Sequence, residues 1–238
     1  MDSDSQPPSM ANGERREPTT VRSMFDAIAS RYDLVNTIAS AGSDGRWRRR
    51  AVSRLAPRPG ERILDLACGT GKLSLEIRRQ GALVVGLDFS AMMLRQYQLT
   101  SPDAMLVRSD ALQLPFAAAS FEACSIAFGL RNLHDPRLGL AEMRRVLRPG
   151  GRLLILEFLR PPKTPMSMPY RFYVDHFLPL LGGRVSGERQ AYEYLSDTID
   201  TYMDAREMAL LVGSCGFSDP QVEELNMRSV AIVAAHSS

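Results

Sequence analysis

The chain has 238 residues, 45% of them hydrophobic and 24% charged, with a formal net charge of +2. That composition suits one ordinary globular domain with a sizeable core, and the charge is too small to imply a nucleic-acid partner. No apolar run approaches the roughly eighteen residues of a membrane-spanning helix, the N-terminus lacks a signal-peptide core, and Cys68, Cys124 and Cys215 form no CxxC spacing, so a reducing cytoplasm with neither a zinc site nor a disulfide framework is expected.

Residues 1–20 are rich in Ser, Pro, Asp, Glu and Arg and nearly free of large apolar side chains, which predicts a disordered tail ahead of one domain over 21–238. From Val21 the periodicity is helical, with Met24, Phe25, Ile28 and Ala29 on one face, followed by Tyr32, Leu34, Val35 and Ile38. A second helix is predicted around 47–55 beyond Gly42, and its cluster Arg46, Arg48, Arg49, Arg50 and Arg54 reads as a solvated face. Pro57-Arg58-Pro59-Gly60 then marks a turn.

Next comes a regular alternation. Strands are predicted over 62–67, 83–88, 105–108, 123–128 and 152–158, with helices over 72–79, 91–98 and 138–147 between them. Gly150-Gly151 is expected to cap the last of these helices. Pro161, Pro162, Pro165 and Pro169 interrupt the rhythm, and an apolar-aromatic stretch from Met166 to Leu181 suggests a helical cover over about 160–200. A helix over 204–215 and strands over 221–225 and 230–235 close the pattern. Such alternation predicts an α/β fold, Rossmann-like, with a mostly parallel seven-stranded sheet, helices on both faces, a helical preface and an insertion after the fifth strand.

The centre of the chain is Asp65-Leu66-Ala67-Cys68-Gly69-Thr70-Gly71-Lys72, a buried strand entering a glycine turn and a helix. A phosphate-binding loop needs GxxxxGK followed by Ser or Thr, but Leu66 and Leu73 stand at the required places. The dinucleotide fingerprint fails too, since Ser74 occupies its third glycine position. The stretch resembles the turn of S-adenosyl-L-methionine-dependent methyltransferases, an acid followed by GxGxG, with Ala67 in place of the first glycine. Asp88 ends the second strand, where a carboxylate can accept ribose hydroxyls, and Asp110 with Ala111 ends the third, on the adenine side. One strand-end acid is often only a helix cap; three in register point to a cofactor.

Further motifs narrow the resemblance. Tyr32-Asp33-Leu34-Val35-Asn36 with Ser40 and Trp47, Leu87-Asp88-Phe89-Ser90, Leu114-Pro115-Phe116, Arg145-Val146-Leu147-Arg148-Pro149-Gly150-Gly151, Leu156-Glu157-Phe158, and above all Phe128-Gly129-Leu130-Arg131-Asn132 resemble the ubiquinone/menaquinone biosynthesis C-methyltransferases of the UbiE/MenG type, a class I methyltransferase family. The chain departs from that pattern at Asp44, where the family has His, at Val35 and Leu159, and at Asn226-Met227-Arg228-Ser229, where a Gly-Gly pair normally precedes the last strand.

The resemblance implies methylation of a ring carbon of a polyprenylated hydroquinol, without a metal, in the cytoplasm or at the inner face of the membrane. It further implies cofactor contacts at Asp65, Gly69, Thr70, Gly71, Asp88, Asp110, Ala111 and Ala127, and chemistry at Arg131, Asn132 and Tyr32. Arg131 would favour a phenolate, directly or through a water, or else be a surface or ion-paired arginine; Tyr32 would wall off the sulfonium or be a core aromatic. His134, although an imidazole, precedes Asp135-Pro136 as a turn residue would, and Asp33 with Asn36 would hold the preface over the cleft. Two other readings stay open, a methyltransferase for another small lipophilic acceptor and a non-catalytic cofactor-binding scaffold.

Overall fold

The computed structural model describes residues 18–40, 42–160, 198–199 and 201–238. The tail up to residue 17 and most of the expected helical cover, 161–197, with its Met166 to Leu181 stretch, lie outside the described residues.

Seven strands, β1 Arg62–Leu66, β2 Leu83–Asp88, β3 Met105–Arg108, β4 Phe121–Ala127, β5 Leu147–Phe158, β6 Phe217–Leu225 and β7 Val230–Ser237, form one sheet in the order β3-β2-β1-β4-β5-β7-β6. The first five are parallel, and β7 lies antiparallel between β5 and β6. Around them run α1 Pro18–Ile28, α2 Tyr32–Ala39, α3 Ser43–Leu55, α4 Lys72–Arg78, α5 Ala91–Thr100, α6 Pro136–Val146 and α7 Ala205–Ser214.

The central strands are largely apolar on both faces because both are covered, with Asp65 and Ser125 as buried polar exceptions. Leu64, Leu66, Cys124, Ile126, Leu153 and Ile155 pack with α6 and α7. Their alternate neighbours Ile63, Ala123, Leu154 and Leu156 pack with Trp47, Ala51 and Leu55 of α3 and Leu73 and Ile77 of α4. From β1 the chain works outward to β2 and β3, then returns to β4 on β1's other side. The carboxyl ends of β1 and β4 therefore open a crevice, the usual place for a ligand in such sheets.

Several boundaries differ from expectation, each for a local reason. α1 starts at Pro18 rather than Val21, proline being well suited to a first helical turn. α6 stops at Val146, and Leu147 pairs at once with Phe121. The Arg148-Pro149-Gly150-Gly151 segment is thus a bulge inside β5 and not a helix cap. β6 begins at Phe217 and carries Pro220 across a register shift, tolerated because β6 is an edge strand.

The preface is also more differentiated than its periodicity suggested. Val21, Phe25, Ile28, Ala29 and Val35 pack with Met93 of α5, whereas Leu34 and Ile38 are exposed. Asp26 Oδ1 accepts from Ser90 Oγ at 2.5 Å and Met92 N at 3.2 Å, setting an acid of α1 at the positive end of α5. Arg48 departs from the solvated arginine face. It is buried and paired with Asp44 Oδ2 at 2.6 Å.

Candidate active site

At the end of β1 the backbone turns left-handed at Ala67 (φ 47), Gly69 (φ 55) and Gly71 (φ 84). The two glycines serve different purposes. A Cβ on Gly71 would fall into the Tyr97 ring, so this glycine is required by packing. A Cβ on Gly69 would meet nothing within 4 Å, so Gly69 presents bare backbone to open space, as a cofactor turn must.

Asp65 braces this turn from inside the fold rather than presenting its carboxylate on the open side. It is fully buried and accepts from Ser74 Oγ at 2.5 Å and Ser125 Oγ at 2.7 Å. Burial pushes its pKa up to about 6, against the pull of those two hydroxyls. Asp88 Oδ2 accepts from Gly69 N at 2.8 Å and Oδ1 from Ser90 N at 2.9 Å, and burial pushes this carboxyl to about 6 as well. The Phe89 backbone N–H also supports this carboxylate, and of its about four acceptor positions one remains for a hydroxyl of a bound molecule. Asp110 is exposed beside buried Ala111, with Oδ1 accepting from Leu112 N at 2.9 Å. Ala127 is half-buried at the end of β4.

Across the crevice a second turn follows β4. Phe128 is left-handed at φ 56, and residues Leu130–Asn132 form one 3-10 turn. Such a conformation on a bulky residue is strained and needs a surrounding that enforces it. Here Arg131 Nη1 donates to Phe128 O at 2.9 Å, and Asn132 Nδ2 to the same oxygen at 3.3 Å. The Phe128 and Phe158 rings pack at 4.7 Å, with Trp47 against both.

Arg131 is not a surface group. Its guanidinium pairs with Glu157, lies 5.3 Å from the Phe158 ring centroid, and leaves its side chain 3% exposed. The fold therefore pairs Arg131 with a buried acid while keeping it at the crevice. Asn132 Oδ1 is buried and accepts no hydrogen bond from the described residues. Tyr32 reaches the same region. Burial raises its hydroxyl pKa, while Arg131, a hydrogen bond with Asn36, and Arg48 pull it down, so the hydroxyl stays protonated at neutral pH. His134 is exposed in the turn before α6, where Asp135 caps the helix by accepting from Arg137 N and Leu138 N.

A ladder of charges docks the preface onto both turns. Thr70 Oγ1 donates to Asp33 Oδ1 at 2.8 Å. Lys72 Nζ lies 3.6 Å from both Asp33 and Asp44 and donates to Thr37 Oγ1 at 3.2 Å. Asp44 holds Arg48, whose guanidinium sits 5.5 Å from the Phe128 ring centroid. Burial works against the Asp44 carboxylate, but Arg48 and Lys72 prevail and hold its pKa below the ordinary value.

The fold thus gathers Asp65 of β1 and Asp88 of β2 around the turn of Gly69, Thr70 and Gly71, and sets Tyr32 of α2 within electrostatic reach of Arg131 in the other turn, beside Asn132. Asp110 and Ala111 lie further out along the sheet, after β3. Ser74, Ser125, Lys72 and Glu157 have no assigned role in the sequence motifs, yet each contacts a site residue. Lys72 and Glu157 carry a signal in the sequence, as parts of the Asp65 to Lys72 stretch and of the Leu156-Glu157-Phe158 motif.

Comparison with known proteins gives the family and the fold. A model of the ubiE/COQ5 methyltransferase family matches residues 10–238. The chain is 45% identical over 202 residues to a demethylmenaquinone methyltransferase of Beutenbergia cavernae, covering 85% of this chain and 84% of that one. It is 44% identical to a Thermus thermophilus protein of the same name, over 82% and 91% of the two chains. Among solved structures, a SAM-dependent methyltransferase from Thermotoga maritima superimposes with a TM-score of 0.68 at 14% identity, over 92% of this chain and 100% of that one, which speaks for the fold alone. With a family model spanning nearly its whole length and relatives at 44% and 45% identity, the chain belongs to the ubiE/COQ5 methyltransferase family.

Proposed function

We propose that the protein is an S-adenosyl-L-methionine-dependent C-methyltransferase acting on a ring carbon of a polyprenylated hydroquinol, with demethylmenaquinol as the first substrate to assay. The observation that carries this reading is the meeting, at one crevice, of a glycine turn with open backbone at Gly69 and a strained turn holding Arg131 and Asn132. The names of the relatives point the same way.

The cofactor supplies, when bound, an electrophilic methyl group on a sulfonium. The residues that would hold it suit its parts, with Gly69 for close backbone approach, Asp88 for a hydroxyl, and exposed Asp110 with Ala111 for the base. An aromatic carbon becomes a competent nucleophile once the neighbouring phenol oxygen loses its proton to water, and after the transfer the carbon's own proton leaves to water as well, restoring the aromatic ring. Donors aimed at that oxygen favour the phenolate, and a positioned ring carbon turns the transfer into an effectively unimolecular step. Arg131 and Asn132 are the donors, and Tyr32 would wall off the sulfonium. Because Arg131 is paired with Glu157, the site offers oriented hydrogen bonds and a dipole rather than an unbalanced positive charge.

The test is complementation of a strain lacking quinone C-methylation, followed by mass spectrometry of the quinones. Methylated menaquinone is expected; transfer of label to a non-quinone product overturns the substrate assignment. An Arg131→Ala protein should lose methylation by at least a hundredfold while still binding cofactor. No helix of the described residues is long and apolar enough to cross a membrane. Exposed Leu34 and Ile38, one turn apart on α2, suit contact with a membrane surface that stores an isoprenoid substrate. Flotation with anionic liposomes at low salt should carry the protein upward, and a protein left at the bottom removes this part of the reading.

A further inference from the structure

Glu157 is, with Asp65, one of two fully enclosed acids at the crevice. It is fully buried on β5, one strand from the turn that holds Arg131. Oε1 pairs with Arg131 Nη1 and accepts from Phe158 N at 2.9 Å, and Oε2 accepts from the Arg131 backbone N at 3.2 Å. One carboxylate therefore grips both the side chain and the main chain of the same residue. The gripped guanidinium in turn holds Phe128 O, the carbonyl of the left-handed residue that starts the turn.

The stabilisation from such a buried pair is largely cancelled by the cost of removing two charges from water, and apolar residues of similar size often serve a core as well or better. The pair's effect is one of orientation. The Phe158 ring lies against the guanidinium, and the Phe128 ring against Phe158, so a shift of Glu157 would release Arg131, the turn and the adjoining aromatic wall together. Donors that are fixed before reaction avoid reorganisation during it.

We propose that Glu157 is a positioning residue for the methyl transfer, acting through Arg131 and the Phe128 turn without touching the substrate. The proposal rests on the reading of Arg131 as the group that meets the phenolate. Glu157→Gln keeps the shape and removes the charge. It should lower kcat tenfold or more and shift the pH profile of kcat, with cofactor affinity within twofold of the parent and full binding stoichiometry by calorimetry. A merely structural role would lower the binding stoichiometry and leave the pH profile in place.

Because an uncompensated buried arginine can impair folding, an Arg131→Met/Glu157→Met double variant provides a second arm. It should fold with a urea midpoint near the parent's, bind cofactor, and fail to methylate. Parent-like kcat in Glu157→Gln, with Arg131→Ala inactive, overturns the role of Glu157 and leaves that of Arg131 standing. Parent-like activity in Arg131→Ala overturns the underlying reading instead. A folded double variant that methylates at the parent rate overturns both.

Discussion

Replacing Ala67 with glycine and Gly129 with alanine tests whether the two turns share a single packing contact. Gly129 has φ −113, which any residue adopts. What forbids a side chain there is the Ala67 methyl, 2.6 Å from where a Cβ would stand, with Ile126 next at 3.2 Å. Gly129→Ala alone therefore overpacks the crevice floor, at about 1–3 kcal/mol. Ala67→Gly alone relieves a left-handed alanine, worth about 1–2 kcal/mol, against about 0.5–1 kcal/mol of added freedom in the unfolded chain. The net is a gain of roughly 0.5–1 kcal/mol. In the double variant the methyl clash is gone and only the Ile126 contacts remain, so the two changes should couple by about 1–2 kcal/mol. Urea unfolding of the four proteins, followed by circular dichroism, gives the cycle directly. Additivity within about 0.5 kcal/mol would refute the shared contact.

The hairpin between β6 and β7 gives a second test, since Asn226, Met227 and Arg228 are all left-handed, at φ 48, 52 and 69. Met227→Gly and Arg228→Gly should each raise stability by about 0.5–1 kcal/mol, read as a higher thermal midpoint, and a lower midpoint in both would count against strain in this turn. A third concerns pH. Asp65 and Asp88 are both pushed up to about 6 by burial, above an unfolded value near 3.9. The folded state thus binds their protons more tightly, so their contribution is complete below about pH 4 and is lost as pH rises through about 6. Each carboxyl accounts for roughly 3 kcal/mol across that window, less when the two are coupled. Asp65→Asn should flatten the dependence of the urea midpoint on pH between 4 and 7, and parallel curves for parent and variant would exclude Asp65 as a source. A fourth addresses the preface. Lys72→Met should loosen α2 and α3, raising amide exchange there at least tenfold, and unchanged protection would show that the ladder does not hold them.

Strand-helix alternation exposed the sheet, the glycine turn and the switch point in the sequence, because both elements bury apolar faces of fixed period. The partners of the site residues were not legible, since they depend on register. Asp65 meets Ser125 only because β1 and β4 align these two residues, and Arg131 meets Glu157 only because β5 runs beside β4. Arg48 illustrates the same limit. Among five arginines of α3 it reads as one more solvated cation, and only the placement of Asp44 and Phe128 beside it reveals a buried pair. The hairpin departure is the converse case. The absent Gly-Gly pair was visible in the sequence, and the left-handed backbone at Met227 and Arg228 gives its physical meaning.

The alternating ladder of Asp33, Lys72, Asp44 and Arg48 also constrains how this protein can be recombined. Its acids belong to the preface, while Lys72 opens α4 beside the glycine turn. A chimera that imports α1 to α3 from a relative with a neutral residue at position 44 would leave Lys72 with one acid fewer, in a half-buried setting where unbalanced charge is costly. Segment exchange in this fold therefore has a natural seam after residue 72, not at the turn before β1.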